Sequence, residues 1–162
     1  MNIKITLRAQ LIFLLLASLA ALIFAYAAQF LFDYQPCILC LYQRKPFFAI
    51  VATTLLALIF FRKESRQKIA LLLCIIFLLI NSSIAIYHVG VEQKIFKGPS
   101  SCSSESLNDL ENLDDLRNAL IKTKAVRCDE PSFFFLGLSM AAWNVIYCSV
   151  ILLLRRRFGL KK

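Results

Sequence analysis

Four long stretches of the chain carry no Lys, Arg, Asp or Glu, and they limit what the chain can fold into. They cover residues 9–32, 46–61, 69–91 and 131–154. A helix needs about 20 apolar residues to cross the hydrocarbon core of a membrane, so three stretches are long enough outright. The second is long enough if its helix begins near residue 41, with Arg44 and Lys45 reaching toward the interface. The sequence therefore predicts four membrane-spanning helices.

The composition and the distribution of charge agree with this prediction. The chain has 162 residues, of which 59% are hydrophobic and 18% charged, far too apolar for an ordinary soluble domain. A net charge of +9 would suit nucleic-acid binding, but the basic residues cluster before the first span, between the second and third, and after the fourth. This distribution follows the positive-inside rule and places both termini in the cytoplasm. We therefore expect a lipid bilayer around the chain and no nucleic-acid partner.

The resulting fold class is an all-α integral membrane protein. It is an antiparallel four-helix transmembrane bundle with a long outer loop between spans 3 and 4. We expect a single domain over residues 1–162, with spans at about 9–32, 41–61, 69–90 and 132–154. The outer connections are then residues 33–45 and 91–131. The first span is expected to be retained, because the apolar region of a cleaved signal peptide runs only about 7–15 residues.

The long outer loop contains a segment with helical periodicity. Between residues 106 and 120 leucines recur at spacings of three and four, with acidic residues between them. The pattern predicts a short amphipathic helix. Two interpretations stand: the apolar stripe packs on the loop itself, or it rests on the membrane surface.

Six cysteines are present, and their positions separate them into two groups. Cys74 and Cys148 lie inside the third and fourth spans, where they are expected to act as small core hydrophobes. The outer connections hold the other four: Cys37, Cys40, Cys102 and Cys128. These four allow three disulfide pairings, and the sequence does not choose among them.

Three interpretations of the outer cysteines compete. The first is a zinc site, but only Cys37 and Cys40 have the close spacing of a zinc-binding pair, so no metal is expected. The second is a structural framework, since a bond between Cys102 and Cys128 would stabilise the loop by about 3–4 kcal/mol. That interpretation leaves Cys37 and Cys40 unexplained, because closing so small a ring constrains little chain. The third is thiol–disulfide exchange across both pairs.

The residues around the Cys37–Cys40 pair favour exchange. Pro36 suits the start of a helix, and the positive end of a helix dipole stabilises a thiolate. Arg44 lies one turn beyond Cys40 on the same face, where its permanent charge can hold a thiolate or a carbonyl oxygen. Because Cys37 is nearer the water and Cys40 nearer the lipid, electrons are expected to enter at Cys37 and leave at Cys40.

The segment Pro36-Cys37-Ile38-Leu39-Cys40-Leu41-Tyr42-Gln43-Arg44 resembles the DsbB family of disulfide bond formation proteins. Cys102, Cys128, the run from Phe135 to Met140 and the four-span layout support the resemblance, which covers nearly the whole chain. A bare C-x-x-C would be weak support. It becomes specific in combination with the arginine, the second cysteine pair and the topology.

The resemblance implies a membrane thiol oxidase of a bacterial inner membrane. Such an enzyme reoxidises a periplasmic DsbA-like thiol oxidase and passes the electrons to the membrane quinone pool, as ubiquinone or menaquinone. By resemblance, Cys102 forms the mixed disulfide with the partner, Cys128 exchanges with Cys37, and Cys40 reacts with quinone beside Arg44. The family often carries a histidine near the quinone, which implies a quinone-binding role for His88. The alternative for His88 is an interfacial residue bonded to water or backbone.

Two other functions compete with the oxidase. One is a membrane thiol reductase of the vitamin K epoxide reductase type, which also sets a C-x-x-C in a helical bundle. Arg44 and the spacing of the second cysteine pair fit the oxidase better. The other is a non-enzymatic membrane scaffold or metal-handling protein, which would keep its function without Cys40.

Overall fold

The computed structural model describes residues 6–99, 127–130 and 134–159, with side chains to residue 157. Four α-helices and one β-hairpin make up these parts. The helices are α1, Leu7–Leu31; α2, Ile38–Phe60; α3, Glu64–Glu92; and α4, Met140–Gly159. The hairpin strands are β1, Phe134–Phe135, and β2, Leu138–Ser139. The chain is thus mainly helical, as the sequence predicts.

Three of the four helices are long and apolar enough to cross a membrane: α1, α2 and α3. Large apolar side chains remain exposed along all three, among them Phe24, Ile59 and Leu72. Such surfaces suit lipid rather than water. The fourth helix is shorter, and it ends in a run of arginines from Arg155 to Arg157.

The helix boundaries follow from local sequence. Helix α1 begins after Thr6, whose Oγ1 accepts a hydrogen bond from the N–H of Ala9, as an N-cap does. It ends just before Asp33, which has a positive φ of 53°. Helix α3 begins at Glu64, whose carboxylate suits the positive end of the helix dipole and pairs with Lys68.

The bundle has one apolar core, in which α2 packs against both α1 and α3 and α4 packs mainly against α3. Leu11, Leu14, Ile50 and Leu78 are almost completely buried there. Cys74 and Cys148 belong to the same cluster and are fully buried, as expected for small core residues. The core therefore lies between the helices and leaves the outer faces apolar.

The start of the fourth helix differs from the prediction. The predicted span begins near residue 132, whereas α4 begins at Met140. The residues before it turn back as a hairpin, with Phe134 paired to Ser139. Gly137 has a φ of 77°, in the left-handed region that glycine adopts readily. The segment carries no charge, so hydropathy alone does not separate the hairpin from the helix.

Cys102 and the predicted amphipathic segment 106–120 lie outside the described residues. Beyond the end of α3 the chain folds back on the helix, and the N–H groups of Ile95 and Phe96 both donate to the carbonyl of Gly90. The Phe96 ring stacks on Tyr87 at 5.8 Å and fills the space where a side chain at position 90 would lie. The residues that follow α3 therefore pack against its C-terminal end, next to Tyr87 and Gly90.

Candidate functional site

The dithiol lies at the first turn of α2. Cys37 is the N-cap residue, and its sulfur accepts a hydrogen bond from the N–H of Cys40 at 3.3 Å. The Sγ atoms of Cys37 and Cys40 are 2.8 Å apart, and both thiols are free. Helix α2 thus begins within the dithiol, close to the start that Pro36 indicated. The two sulfurs need little movement to form a disulfide, whose S–S bond is about 2.05 Å long.

The surroundings of Cys37 favour its thiolate form. Its hydrogen bonds with the thiol of Cys40, the ring of His88 and the N–H of Cys40 lower its pKa to about 4, against the opposing effect of burial. One of these donors, the N–H of Cys40, belongs to the start of α2, which also carries partial positive charge. At neutral pH the sulfur is therefore charged and reactive in the reduced protein.

The low pKa gives a direct prediction. In the reduced protein we expect the rate of Cys37 alkylation by iodoacetamide to stay nearly constant from pH 8 to pH 6 and to fall only toward pH 4. An ordinary thiol loses about tenfold in rate per pH unit over the same range, because only the thiolate reacts. Peptide mass spectrometry after short exposure measures the rate at each pH.

Cys40→Ala serves as the matched variant. It removes the hydrogen bond that lowers the pKa of Cys37 most, so the pH profile of alkylation should shift to higher pH.

The same low pKa predicts how the stability of the reduced protein depends on pH. Between pH 4 and the ordinary value of 9.0 the unfolded chain holds a proton that the folded reduced chain has released, so stability rises with pH in that window. An alkylation profile centred near pH 9 in the unaltered protein would contradict the low pKa of Cys37.

His88 brings helix α3 to the dithiol. Its side chain is buried, and its Nε2 lies 3.5 Å from the Cys37 sulfur. The same nitrogen lies 3.7 Å from a carboxylate oxygen of Glu92, one turn further along α3. The other oxygen of Glu92 accepts a hydrogen bond from Ser139 Oγ at 2.5 Å. His88 therefore contacts side chains of the dithiol site, and its quinone-binding role stays a prediction.

Arg44 lines the same cavity as the dithiol and is held by helix α1. One of its terminal nitrogens donates to Gln29 Oε1 at 2.6 Å and the other to the carbonyl of Ala25 at 3.3 Å. The guanidinium also lies 4.9 Å from the centre of the Tyr26 ring, within range of a cation–π contact. Helix α1 thus fixes the position of the positive charge beside the dithiol.

One small cavity joins these groups. It has a volume of about 70 Å³, and its lining includes Cys37, Cys40, Arg44 and His88. A larger open groove of about 610 Å³ runs along α2 and α3 and is lined by apolar and aromatic side chains such as Leu39, Phe77 and Tyr87. The groove contains neither sulfur. The chemistry of the lining therefore favours the smaller cavity as the reactive site.

Cys128 lies in the same buried cluster as the dithiol. The cluster contains Cys37, Leu39, Val91 and Cys128, with Cys40 packed against it. Cys128 is itself in a disulfide. The structure thus brings three of the four outer cysteines together, while Cys102 is outside the described residues. This proximity is what exchange between two cysteine pairs requires.

Ligand atoms of Cys37, Cys40 and His88 also lie within 4.8 Å of one another. Two thiols and an imidazole are suitable zinc ligands, but a structural zinc site uses four. The set is therefore one protein ligand short among the described residues. The same two sulfurs are the ones that thiol–disulfide exchange uses.

The site includes residues that the sequence did not single out. Gln43, in the quoted motif, lies with Nε2 3.0 Å from His88 Nδ1. Asn144 of α4 donates to Gln43 Oε1 at 2.7 Å. Polar residues inside apolar spans are often functional, so Asn81 and Asn144 carried a sequence signal. Glu92 is four residues from His88 on one helix and could have been found from that spacing.

Comparisons with known proteins point to one family. The family model described as "Disulfide bond formation protein DsbB" matches residues 7–155, nearly the whole chain. An uncharacterized protein from Rickettsia prowazekii (strain Madrid E) is 30% identical over 134 residues, which cover 82% of this chain and 76% of that protein. No solved structure matches the chain significantly.

Proposed function

The chain belongs to the DsbB family of disulfide bond formation proteins, a family of membrane thiol oxidoreductases, and we propose that it is a quinone-dependent thiol oxidase of a bacterial inner membrane. It reoxidises a periplasmic DsbA-like dithiol oxidase and passes the electrons to ubiquinone or menaquinone. Its termini are cytoplasmic and its outer cysteines periplasmic. The observation that carries the proposal is the free dithiol at the start of a membrane helix, beside Arg44 and His88 and in one cluster with Cys128.

The first stage is exchange with the partner. In the oxidised state Cys102 and Cys128 share a disulfide. A thiolate of the reduced partner attacks the sulfur of Cys102, which breaks that disulfide and frees Cys128. The partner's second thiolate then attacks the mixed disulfide and releases Cys102. The partner leaves oxidised, and two electrons and two protons remain on Cys102 and Cys128.

The second stage moves those electrons to Cys37 and Cys40, called here the inner pair, while Cys102 and Cys128 form the outer disulfide. The Cys128 thiolate attacks the Cys37 sulfur of a Cys37–Cys40 disulfide and releases Cys40. Cys102 then attacks Cys128, and Cys37 leaves as a thiolate. The low pKa of Cys37 makes it a good leaving group in this step, because thiols of lower pKa leave faster. The outer disulfide is restored and the inner dithiol is reduced.

The last stage returns the inner pair to a disulfide. Cys37 and Cys40 give up two electrons and two protons, which a bound quinone would take up to become a hydroquinone. The residues present fit such a ring, since Arg44 has N–H groups beyond those used by Gln29 and Ala25 and lines the cavity that holds Cys40. Arg44 would hold a carbonyl oxygen, and Cys40 would be the sulfur that faces the ring. Cys37 then bonds to Cys40 and completes the cycle.

A purified system tests the proposal. Detergent-solubilised protein mixed with an excess of reduced DsbA-type partner and quinone should consume quinone and partner dithiol in equal amounts over many turnovers. The absorbance of the quinone and thiol titration of the partner measure the two losses. Cys74→Ala is the matched control, since Cys74 is a buried cysteine of the core cluster and should leave the rate unchanged. Partner that stays reduced, or that is oxidised without loss of quinone, would refute the oxidase and favour a reductase or a scaffold.

A further inference from the structure

A chain of buried and partly buried hydrogen bonds runs from the fourth helix to the reactive sulfur. Asn144 Nδ2 donates to Gln43 Oε1 at 2.7 Å, and Gln43 Nε2 lies 3.0 Å from His88 Nδ1. The other ring nitrogen, Nε2, lies 3.5 Å from Cys37 Sγ. Gln43 and His88 are 7% and 3% exposed, so water does not compete for these groups. Three helices contribute to one connected set.

The chemistry of the amide fixes where the histidine proton lies. A glutamine amide has one oxygen that accepts and one NH₂ group that only donates. Because the oxygen of Gln43 is taken by Asn144, its NH₂ group faces His88. Nδ1 must then accept and carry no proton. In a neutral imidazole the proton is on the other nitrogen, Nε2, which faces the Cys37 sulfur.

The surroundings of Nε2 agree with this assignment. Its two neighbours are the Cys37 sulfur and a carboxylate oxygen of Glu92, at 3.5 and 3.7 Å. A thiolate and a carboxylate both accept hydrogen bonds and do not donate. A bare Nε2 would set a lone pair against them. The charged or titratable groups that line the cavity shared by Cys37 and His88 are Tyr34, Cys40, Arg44, Arg127 and Glu130.

Asn144 is itself held in one orientation inside the bundle. Its Nδ2 also contacts Asn81 Oδ1 at 3.4 Å, and its Oδ1 accepts from Cys148 Sγ at 3.6 Å. Asn81 Nδ2 in turn lies 3.4 Å from Cys148 Sγ. Each contact pairs a donor with an acceptor. The orientation of the Gln43 amide is thus set from the interior of the membrane segment.

We propose that Asn144 and Gln43 are positioning residues that hold His88 as the Nε2–H tautomer, so that its ring donates a hydrogen bond to the Cys37 sulfur. This inference rests on the proposed function and deepens it. It assigns a role to polar residues that do not line the dithiol cavity. It also accounts for the contact between Asn144 of α4 and Gln43 of α2.

The single histidine of the chain makes the test direct. Protein labelled with ¹⁵N only in histidine gives one pair of ring resonances, and protonated and bare ring nitrogens have well-separated shifts. In the reduced protein at neutral pH we expect a bare Nδ1 and a protonated Nε2. A protonated Nδ1, whether in the other tautomer or in an imidazolium ion, would overturn the proposal.

Two variants test the positioning pair. Gln43→Glu keeps the length of the side chain but offers an acceptor in place of the NH₂ group, so Nδ1 is expected to gain a proton. Asn144→Leu removes the donor that orients Gln43, and a mixture of the two tautomers is expected. An Nδ1 that stays bare in Gln43→Glu would contradict the inference even if Asn144→Leu fails to fold.

Thr54→Val is the matched control. Thr54 is a fully buried polar residue of α2, and among the described residues its hydroxyl bonds only to carbonyls of its own helix. Its replacement should leave both ¹⁵N shifts of His88 unchanged. The tautomer is measured on reduced protein without partner or quinone. Failure of this inference would therefore leave the oxidase proposal intact, and failure of the oxidase assay would not alter the ¹⁵N result.

Discussion

Cys40→Ser is expected to lower the steady-state rate of quinone consumption by about a thousandfold or more, the size of effect seen when a reacting nucleophile is removed. The serine keeps the shape of the side chain, and a hydroxyl at neutral pH is a far weaker nucleophile than a thiolate. Cys40 lines the cavity with Arg44, and no other free thiol among the described residues lies there except Cys37. Electrons that reach the inner pair would have no route onward.

The same variant should still react once with the partner. The outer disulfide does not involve Cys40, so one equivalent of reduced partner is expected to be oxidised quickly before the reaction stops. Rapid-quench thiol trapping measures this burst, and the quinone absorbance should not change during it. Cys74→Ala should show full turnover under the same conditions. Multiple turnovers by Cys40→Ser would remove the inner pair from the path and favour the scaffold.

The second large effect is expected at Arg44. Arg44→Ala should raise the KM for quinone by about 10–100-fold, because a hydrogen bond from a charged donor contributes about 1.5–3 kcal/mol. The burst of partner oxidation should be unchanged, since Arg44 acts after the thiol exchange steps. Arg44→Lys keeps the charge without the forked donor geometry and should fall between the two proteins.

Lys45→Ala is the matched control for Arg44. Lys45 is the adjacent cation, but its ammonium lies 4.5 Å from the centre of the Tyr42 ring and it lines the apolar groove rather than the dithiol cavity. Its KM for quinone should stay within about twofold of the unaltered protein, as expected of a residue outside the site. An equal effect of both variants would indicate that only positive charge near the interface matters, and a normal KM in Arg44→Ala would remove Arg44 from the quinone site.

Much of the fold could be read from the sequence, because uncharged apolar stretches of this length have few alternatives to membrane helices. The prediction was weakest where hydropathy does not distinguish structures. Residues 134–139 are as apolar as the helix that follows them, yet they form a hairpin whose turn depends on the positive φ of Leu136 and Gly137. Helix start signals did better, since Pro36 placed the beginning of α2 at the dithiol.

The site, like the fold, could be predicted from the sequence only in part. Cys37 and Cys40 are neighbours along the chain, so their proximity follows from the spacing alone. The contact between Gln43 and Asn144 joins residues 101 positions apart, and it depends on how α2 and α4 are rotated about their axes. A single sequence holds no direct record of that rotation. Buried polar residues can be marked from sequence as candidates, but their partners become visible only in the packed bundle.

The place of Cys37 at the head of α2 has a mechanical consequence. Its sulfur caps the helix by accepting from the N–H of Cys40, and a good cap contributes about 1 kcal/mol. When that sulfur is bonded to Cys128 it loses its negative charge and becomes a poor acceptor. The first turn of α2 should then fray and re-form once per cycle. Hydrogen exchange at the Cys40 amide would therefore report whether Cys37 is bonded to Cys128.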